Sequence, residues 1–178
     1  MQTVKMVISG AVNAGKTQFI RAISEIEVVS TERRATDDTK SIKESGQTTV
    51  AMDFGRISVG DDLVLHLFGT PGQKRFDFMW EILSEGMLGL IVLVDSTRPE
   101  TFRETNRIID FFTSYRDAPF VVAANKQDHE NAWSPDELRL ALRLGPEVKI
   151  MPCVATDRET VKSVLLELLY VILQRAEE

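Results

Sequence analysis

The chain has little of what marks secreted, membrane-spanning or lipid-anchored proteins. It contains a single cysteine, Cys153, so no intrachain disulfide can form and nothing indicates an oxidising compartment. No apolar run approaches the ~18 residues that a membrane span needs. The opening MQTVKMVISG lacks the apolar stretch of a signal peptide and the second-position glycine of a myristoylation signal, and the tail QRAEE has no prenylation cysteine. We therefore expect a cytoplasmic protein without an intrinsic membrane anchor.

Basic residues are also scarce. The 21 lysines and arginines are outnumbered by 27 acidic residues, giving a net charge of −6, and they form no block of the kind that binds nucleic acid. We therefore expect no nucleic-acid partner. Only 10 glycines and 6 prolines accompany 43% hydrophobic residues, a composition that excludes bulk disorder and collagen-like repeats. The 178 residues fit one domain, 1–178, that we expect to be monomeric alone.

Apolar runs of strand length alternate with longer segments of helical period. The alternation predicts an α/β fold with a mostly parallel sheet and helices on both faces. Segment 87–94 (MLGLIVLV) is apolar throughout, which is typical of a central strand covered on both sides. The predicted strands are 4–9, 50–59, 63–68, 87–94, 120–124 and 148–154, and the predicted helices are 18–26, 76–85, 101–115, 135–144 and 159–176.

The segment GAVNAGKT, residues 10–17, fits the phosphate-binding pattern G-x-x-x-x-G-K-[ST] between a strand and a helix. In that setting backbone N–H groups and the helix N-terminus face the phosphates, Lys16 reaches the β- and γ-phosphates, and the Thr17 hydroxyl ligates Mg²⁺. The alternative is a glycine-bearing turn with a solvated lysine. The residues expected to bind nucleotide here are Gly10, Asn13, Ala14, Gly15, Lys16, Thr17 and Gln18.

A second motif, Asn125-Lys126-Gln127-Asp128, follows the apolar run FVVAA. It therefore stands at the carboxyl end of a predicted strand, where open α/β sheets bind their ligands. The Asp128 carboxylate can accept hydrogen bonds from guanine N1–H and the 2-amino group, a donor pair that adenine lacks. The Lys126 stem can lie against the base, and Asn125 can tie this loop to residues 10–17. The alternative is a polar loop after a strand.

Together these motifs resemble those of the Ras-like small GTPases. Residues 68–73 (FGTPGQ) look like the entry to switch II, Thr48-Thr49 like the end of switch I, and 152–156 (PCVAT) like the last guanine-contacting loop, with contacts from Ala155 and Thr156. TTVAMDFG and LFGTPGQ resemble the bacterial MglA-type and roadblock-associated branch most. The resemblance implies a P-loop NTPase fold, a Ras-like G domain with a six-stranded, mostly parallel sheet flanked by five helices.

The resemblance also implies a function. The chain would bind GTP and Mg²⁺, hydrolyse GTP slowly to GDP, and signal through switches I and II to a partner, with a roadblock/LC7-domain protein as regulator or effector. Catalytic roles would fall to Lys16 on the phosphates, the Gly72 backbone on the γ-phosphate and Gln73 orienting water. Metal contacts would come from Thr17, Thr49 and Asp53. The polar segment 30–47 would be a switch that orders on GTP; a tolerated surface insertion is the alternative.

Four positions depart from the family pattern. Gly69 stands where most members have an aspartate that holds Mg²⁺ through water; Asp53 could replace it, or be a solvated strand carboxylate. Val12 replaces a frequent glycine, Thr48 replaces an arginine of MglA-type members, and Thr156 ends the last guanine loop where Lys is usual. Arg33, Arg34 and Arg75 remain as candidate arginines for the γ-phosphate.

These departures leave two rival functions open. One is a nucleotide-binding scaffold with little or no hydrolysis, and the other is a P-loop kinase or ATPase. The second is disfavoured because no basic lid or acceptor pocket is visible, and because it leaves the guanine motif unexplained.

The predicted helix 76–85 carries two apolar stripes. Phe76, Met79, Trp80 and Leu83 have ordinary core spacing. Phe78 and Ile82 lie about 160–200° around the helix from them and are either a partner site or additional core.

Overall fold

A mixed β-sheet runs through the centre of the molecule. The computed structural model describes residues 1–30, 52–72 and 74–178. The strands are β1 (Gln2–Gly10), β2 (Val29–Ser30), β3 (Asp53–Val59), β4 (Leu63–Gly69), β5 (Met87–Asp95), β6 (Phe120–Asn125) and β7 (Lys149–Pro152). They lie in the order β2-β3-β4-β1-β5-β6-β7. The β2–β3 and β3–β4 pairs are antiparallel, and the other neighbours are parallel.

The α/β class predicted from the sequence is confirmed, but the predicted count of six strands is wrong. The additional strand is β2, which pairs Val29 with Phe54 and Ser30 with Asp53. Two residues are too few to give a periodic signal in the sequence. The strand is defined by its pairing with the edge of β3. Where β3 is described, it begins at Asp53, three residues after the predicted start at residue 50.

Five α-helices cover the two faces of the sheet in the described part of the chain. They are α1 (Lys16–Ile23), α2 (Met79–Ser84), α3 (Phe102–Tyr115), α4 (Pro135–Ala141) and α5 (Arg158–Glu177), with 3₁₀ turns at Lys74–Phe76 and Pro99–Thr101. Phe19 of α1 and Leu168 of α5 are buried on one face, and Trp80 of α2 and Phe112 of α3 on the other. Among these helices, none is both long enough and apolar enough to cross a bilayer.

Local signals set the helix ends. Ser134 accepts a hydrogen bond from the Glu137 backbone N–H while the Glu137 side chain accepts from the Ser134 N–H, so the predicted start of α4, with Pro135 in its first turn, is confirmed. The helix predicted over 76–85 is shorter in the structure: Phe76 ends a 3₁₀ turn, residues 77 and 78 form a turn, and α2 spans Met79–Ser84. Phe76, Trp80 and Leu83 are buried, whereas Phe78 is 56% and Ile82 53% exposed, so these two are not additional core.

Candidate nucleotide-binding site

The loop between β1 and α1 has the geometry of a phosphate-binding loop. Gly15 has φ 105°, and a Cβ there would collide with the Asn125 side chain, so only glycine fits. The Lys16 ammonium donates to the carbonyl oxygens of Gly10 at 2.7 Å and Ala11 at 3.0 Å. Lys16 is buried, with 8% exposure, so it is not a solvated lysine. The loop holds its cation at the N-terminus of α1, where an anion is favoured.

A cleft of about 320 Å³ opens above this loop. Gly72 forms part of its wall, and a Cβ at Gly72 would lie 3.2 Å from the Val12 Cα and 3.3 Å from the Lys16 Nζ. The Gly72 backbone thus closely approaches the loop lysine. The cleft is lined by Val12, Asn13, Gly15, Lys16, Thr17, Gln18, Arg21, Met52, Asp53, Thr70, Pro71 and Gly72.

Asp53 lies in the same cleft, next to Thr17. The Thr17 hydroxyl donates a short hydrogen bond to Asp53 Oδ2. Asp53 is 6% exposed, so it is not a solvated carboxylate, and its Oδ1 has no hydrogen-bond partner among the described residues. A hydroxyl and a carboxylate oxygen are hard ligands of the type that Mg²⁺ takes in combination with phosphate and water. The residues present therefore fit a magnesium ion.

The register of β3 and β4 explains how Asp53 reaches this place. Asp53 pairs directly with Gly69, the position where most Ras-like proteins have their aspartate. A Cβ at Gly69 would lie 3.1 Å from the Asp53 Cβ and 3.0 Å from the Ile20 Cδ1. Position 69 thus carries no side chain, and the Asp53 carboxylate lies directly beside it on the neighbouring strand.

Asn125 joins three loops at the other end of the site. Its Nδ2 donates to the Ala14 carbonyl at 2.8 Å, and its Oδ1 accepts from the Ala155 N–H at 2.9 Å. The side chain is 2% exposed. The predicted tie between residue 125 and the phosphate-binding loop is thus present in the structure. The Ala155 N–H, which the resemblance assigns to the guanine oxygen, here donates to Asn125, so a bound base would share it.

Residues 125–128 are also held from β5, by residues that the sequence motifs do not include. The Lys126 ammonium donates to Asp95 Oδ2 at 2.6 Å, and Gln127 Nε2 donates to Ser96 Oγ at 3.0 Å. Burial raises the pKa of Asp95, but the hydrogen bonds from Lys126 and Thr97 outweigh it and hold that pKa below its usual value. The one available signal is that Asp95 and Ser96 are polar residues directly after the apolar run 87–94.

A second cleft, of about 200 Å³, lies beside these loops. Asp128 is exposed and lies on its wall. Gly15 and Gln18 line both clefts, so the two clefts adjoin. The walls of the second cleft are Gly15, Gln18, Asn125, Lys126, Asp128, His129, Val154, Ala155 and Thr156.

Cys153 is buried, with 1% exposure, and this burial raises the pKa of its thiol to about 12, so the side chain serves packing rather than nucleophilic chemistry. The guanidinium of Arg75 stacks on the Phe76 ring, 4.6 Å from its centroid. Several sequence predictions fall outside the described residues: Arg33, Arg34, Thr48, Thr49, Gln73 and most of segment 30–47.

Comparison with known proteins places the chain in a family. Residues 8–175 match the family model described as a conserved hypothetical ATP binding protein. The chain belongs to this family. An uncharacterised protein of Methanocaldococcus jannaschii is 32% identical over 125 residues, which are 70% of this chain and 71% of that protein.

Further relatives are small GTPases. Mouse Ras-related protein Rab-12 is 28% identical over 132 residues, and rat ADP-ribosylation factor-related protein 1 is 27% identical over 140 residues. These alignments cover 71% and 76% of this chain; the chain spans about half (49%) of Rab-12 and 65% of the second protein.

Among solved structures, the nucleotide-analogue-bound Arl6 BBS3 small GTPase of Trypanosoma brucei superposes with a TM-score of 0.76 at 19% identity. The match covers 97% of this chain and 99% of that one. The fold is thus the Ras-like small GTPase fold, with a seven-stranded mixed sheet instead of the predicted six strands. The small-GTPase relatives support a nucleotide-binding switch. The MglA-type branch is not confirmed by these comparisons and stays a prediction.

Proposed function

We propose that residues 1–178 form one G domain, a molecular switch that binds GTP with Mg²⁺ and hydrolyses it slowly to GDP. The observation that carries this proposal is the adjacency of the two clefts. Gly15 and Gln18 line both, so a nucleotide with its phosphates on Lys16 has its base beside Asp128.

Guanine fits this base cleft better than adenine. The Asp128 carboxylate can accept hydrogen bonds, and guanine presents two N–H donors on one edge. The description of the matching family model names ATP, so adenine is the alternative base. Lys126 and Thr156 complete the walls, and the Ala155 N–H is shared between Asn125 and the base oxygen.

At the phosphate end, this chain's residues would neutralise and orient. Lys16 and the N–H groups of the loop residues Gly10, Asn13, Ala14 and Gly15 would hold the phosphates, and the Gly72 N–H would meet the γ-phosphate. Thr17 and Asp53 would hold the metal, with Thr49 joining them. Bound Mg²⁺ supplies charge neutralisation on the phosphate oxygens.

We expect slow hydrolysis because none of the residues that the resemblance places at the γ-phosphate is an arginine. Gln73 would orient the attacking water, but a glutamine carries no charge to stabilise the transition state, whereas a positioned arginine contributes ~10³–10⁵ in rate. Thr48 supplies no guanidinium, and Arg75 is stacked on Phe76. We therefore expect an unassisted rate on the order of 10⁻⁴–10⁻³ s⁻¹.

The partner surface would include the outward face of α2. Phe78 and Ile82 are more than half exposed there, next to the region that contacts the γ-phosphate. A roadblock/LC7-domain protein is the partner that the sequence resemblance implies. We expect the domain to act in the cytoplasm without nucleic acid and to be monomeric in isolation.

A scaffold with little or no hydrolysis is the second candidate, favoured by Val12. Its side chain is 48% exposed in the phosphate cleft, where it would crowd an arginine brought by a partner. Single-turnover phosphate release with and without the partner separates the two functions.

The test of the proposed function begins with the protein as purified. We expect denaturation to release GDP or GTP, identified by mass, and we expect added GDP to bind at least a hundredfold tighter than ADP. Adenine nucleotide in the purified protein, or tighter binding of ADP, would overturn the guanine assignment. A hydrolysis rate near 1 s⁻¹ without any partner would overturn the slow-switch proposal.

A further inference from the structure

The base-binding lysine is held by a buried carboxylate on the next strand of the sheet. β5 and β6 pair Asp95 with Asn125, which brings Asp95 beside the residue that follows, Lys126. The Lys126 side chain is 31% exposed, whereas that of Asp95 is 1% exposed, and their charged atoms lie 2.6 Å apart. Lys126 has φ 64°, in the left-handed region of backbone conformation.

The two oxygens of Asp95 have separate roles. Oδ1 accepts from the Thr97 N–H at 3.0 Å and the Thr97 hydroxyl at 2.6 Å, which orders the loop after β5. Oδ2 accepts from the Lys126 ammonium. One oxygen therefore serves its own loop, and the other serves a side chain that lines the base cleft.

We propose that Asp95 is a positioning residue for nucleotide binding, whose carboxylate fixes the Lys126 side chain as a wall of the base cleft. This inference rests on the proposed function, because it assigns Lys126 to the base. A lysine has several rotatable bonds, and ordering it when nucleotide binds costs conformational entropy. An ion pair formed within the protein meets that cost before the ligand arrives, which tightens binding.

A second bond from the same loop limits how far the base-binding loop can move. Gln127 Nε2 donates to Ser96 Oγ and to the Trp133 carbonyl, at 3.0 and 2.8 Å. The Ser96 N–H in turn donates to the Asn125 carbonyl at 3.2 Å. The backbone of the loop is thus held independently of Asp95, so a change at Asp95 should act on the Lys126 side chain rather than on the loop.

The experiment is a double-mutant cycle on the release rate of fluorescent mant-GDP. Asp95→Asn keeps the oxygen that Thr97 needs but places an N–H₂ donor against the Lys126 ammonium. Lys126→Met keeps an unbranched stem without the charge. We expect each single variant to release mant-GDP about tenfold faster than wild type, since bonds to charged groups are the stronger ones. We expect the double variant to match Lys126→Met alone, because Asp95 acts through Lys126.

The matched control is Asp117→Asn. Asp117 also pairs with a basic side chain, Arg175 at 2.9 Å, but both are exposed and neither lines the cleft, so release should be unchanged. A release rate for Asp95→Asn within twofold of wild type would overturn the inference. The inference would also be overturned if the double variant released mant-GDP faster by the product of the two single effects, because Asp95 would then have a structural role that is independent of Lys126.

One further measurement needs no substitution at Asp95. With GDP bound, the Lys126 ammonium protons should exchange slowly enough with water to be seen by ¹⁵N-edited NMR, and the signal should disappear in Lys126→Met. An ammonium in free exchange would contradict the fixed lysine. If wild type binds no mant-GDP, the proposed function fails, and the cycle on mant-ADP then tests whether Asp95 positions Lys126.

Discussion

The two ends of the candidate site are built differently: the proposed base end lies beside Asp128, and the proposed phosphate end lies beside Lys16. At the base end, Asn125, Lys126 and Gln127 all bond to neighbouring loops, so the polar groups satisfy one another. At the phosphate end, Asp53 is buried but keeps one carboxylate oxygen without a partner among the described residues. A buried carboxylate oxygen without a partner is costly unless a ligand satisfies it.

The difference divides the work of the site. The base end is preorganised, so it should select the nucleotide and treat its diphosphate and triphosphate forms alike. In the proposed function the phosphate end would contact the metal and the γ-phosphate, so it should distinguish the two forms. Substitutions at the two ends should separate these two roles.

Asn125→Ala should have the largest effect on folding. It removes a buried side chain that joins three loops and leaves the Ala14 carbonyl and the Ala155 N–H unpaired. At about 1–3 kcal/mol for each of these two unpaired buried groups, the free energy of unfolding should fall by about 2–6 kcal/mol. Urea unfolding measures this. Asn131→Ala, at an exposed asparagine of the same connection, is the control and should change nothing; equal unfolding of the two variants would contradict the tie.

Asp53→Asn should act on the metal rather than on the base. The amide retains the shape of the side chain but loses the charge that faces Thr17, so the Mg²⁺-dependent part of GTP affinity should fall by about 10–100-fold. Titration of GTP with Mg²⁺ and with EDTA measures the effect. GTP affinity in EDTA should stay the same, and an equal loss under both conditions would show that Asp53 does not serve the metal.

A strand swap sharpens the same prediction. Gly69→Asp alone should destabilise the protein, because its Cβ would crowd Asp53 and Ile20. Combining Gly69→Asp with Asp53→Gly moves the carboxylate to the usual family position and should recover part of the Mg²⁺ dependence. If the Mg²⁺ dependence of GTP binding in the double variant is no greater than in Asp53→Gly alone, the carboxylate works only from its position on β3.

Ser134→Ala should have the smallest effect and touch neither end. It removes the N-cap of α4, which lies away from both clefts, so stability should fall by about 1 kcal/mol. Thermal unfolding measures the loss, and GDP affinity should remain that of wild type. A parallel loss of affinity would mean that global stability, rather than local geometry, governs binding in the other variants.

Local motifs in the sequence predicted most of the site. The Lys16 loop and the Asn125 tie depend on short segments whose backbone geometry the residue types themselves impose. Asp95 could not be predicted in the same way, because its contact with Lys126 arises from the pairing of β5 with β6. The sequence left Asp53 open between metal ligand and solvated carboxylate, since its burial depends on its pairing with Gly69. The short strand β2 could not be predicted, because two residues are too few to show the alternation of a strand.

We propose that Asp128 selects guanine at the preorganised end of the site. Two hydrogen bonds to a charged group, at ~1.5–3 kcal/mol each, correspond to roughly 10²–10⁴-fold in affinity. Titrations of GDP and xanthosine diphosphate against wild type and Asp128→Asn measure this directly. The account predicts that the variant loses GDP by that factor and gains xanthosine diphosphate, because its amide offers a donor to the xanthine oxygen. Equal GDP affinity in the two proteins would contradict it.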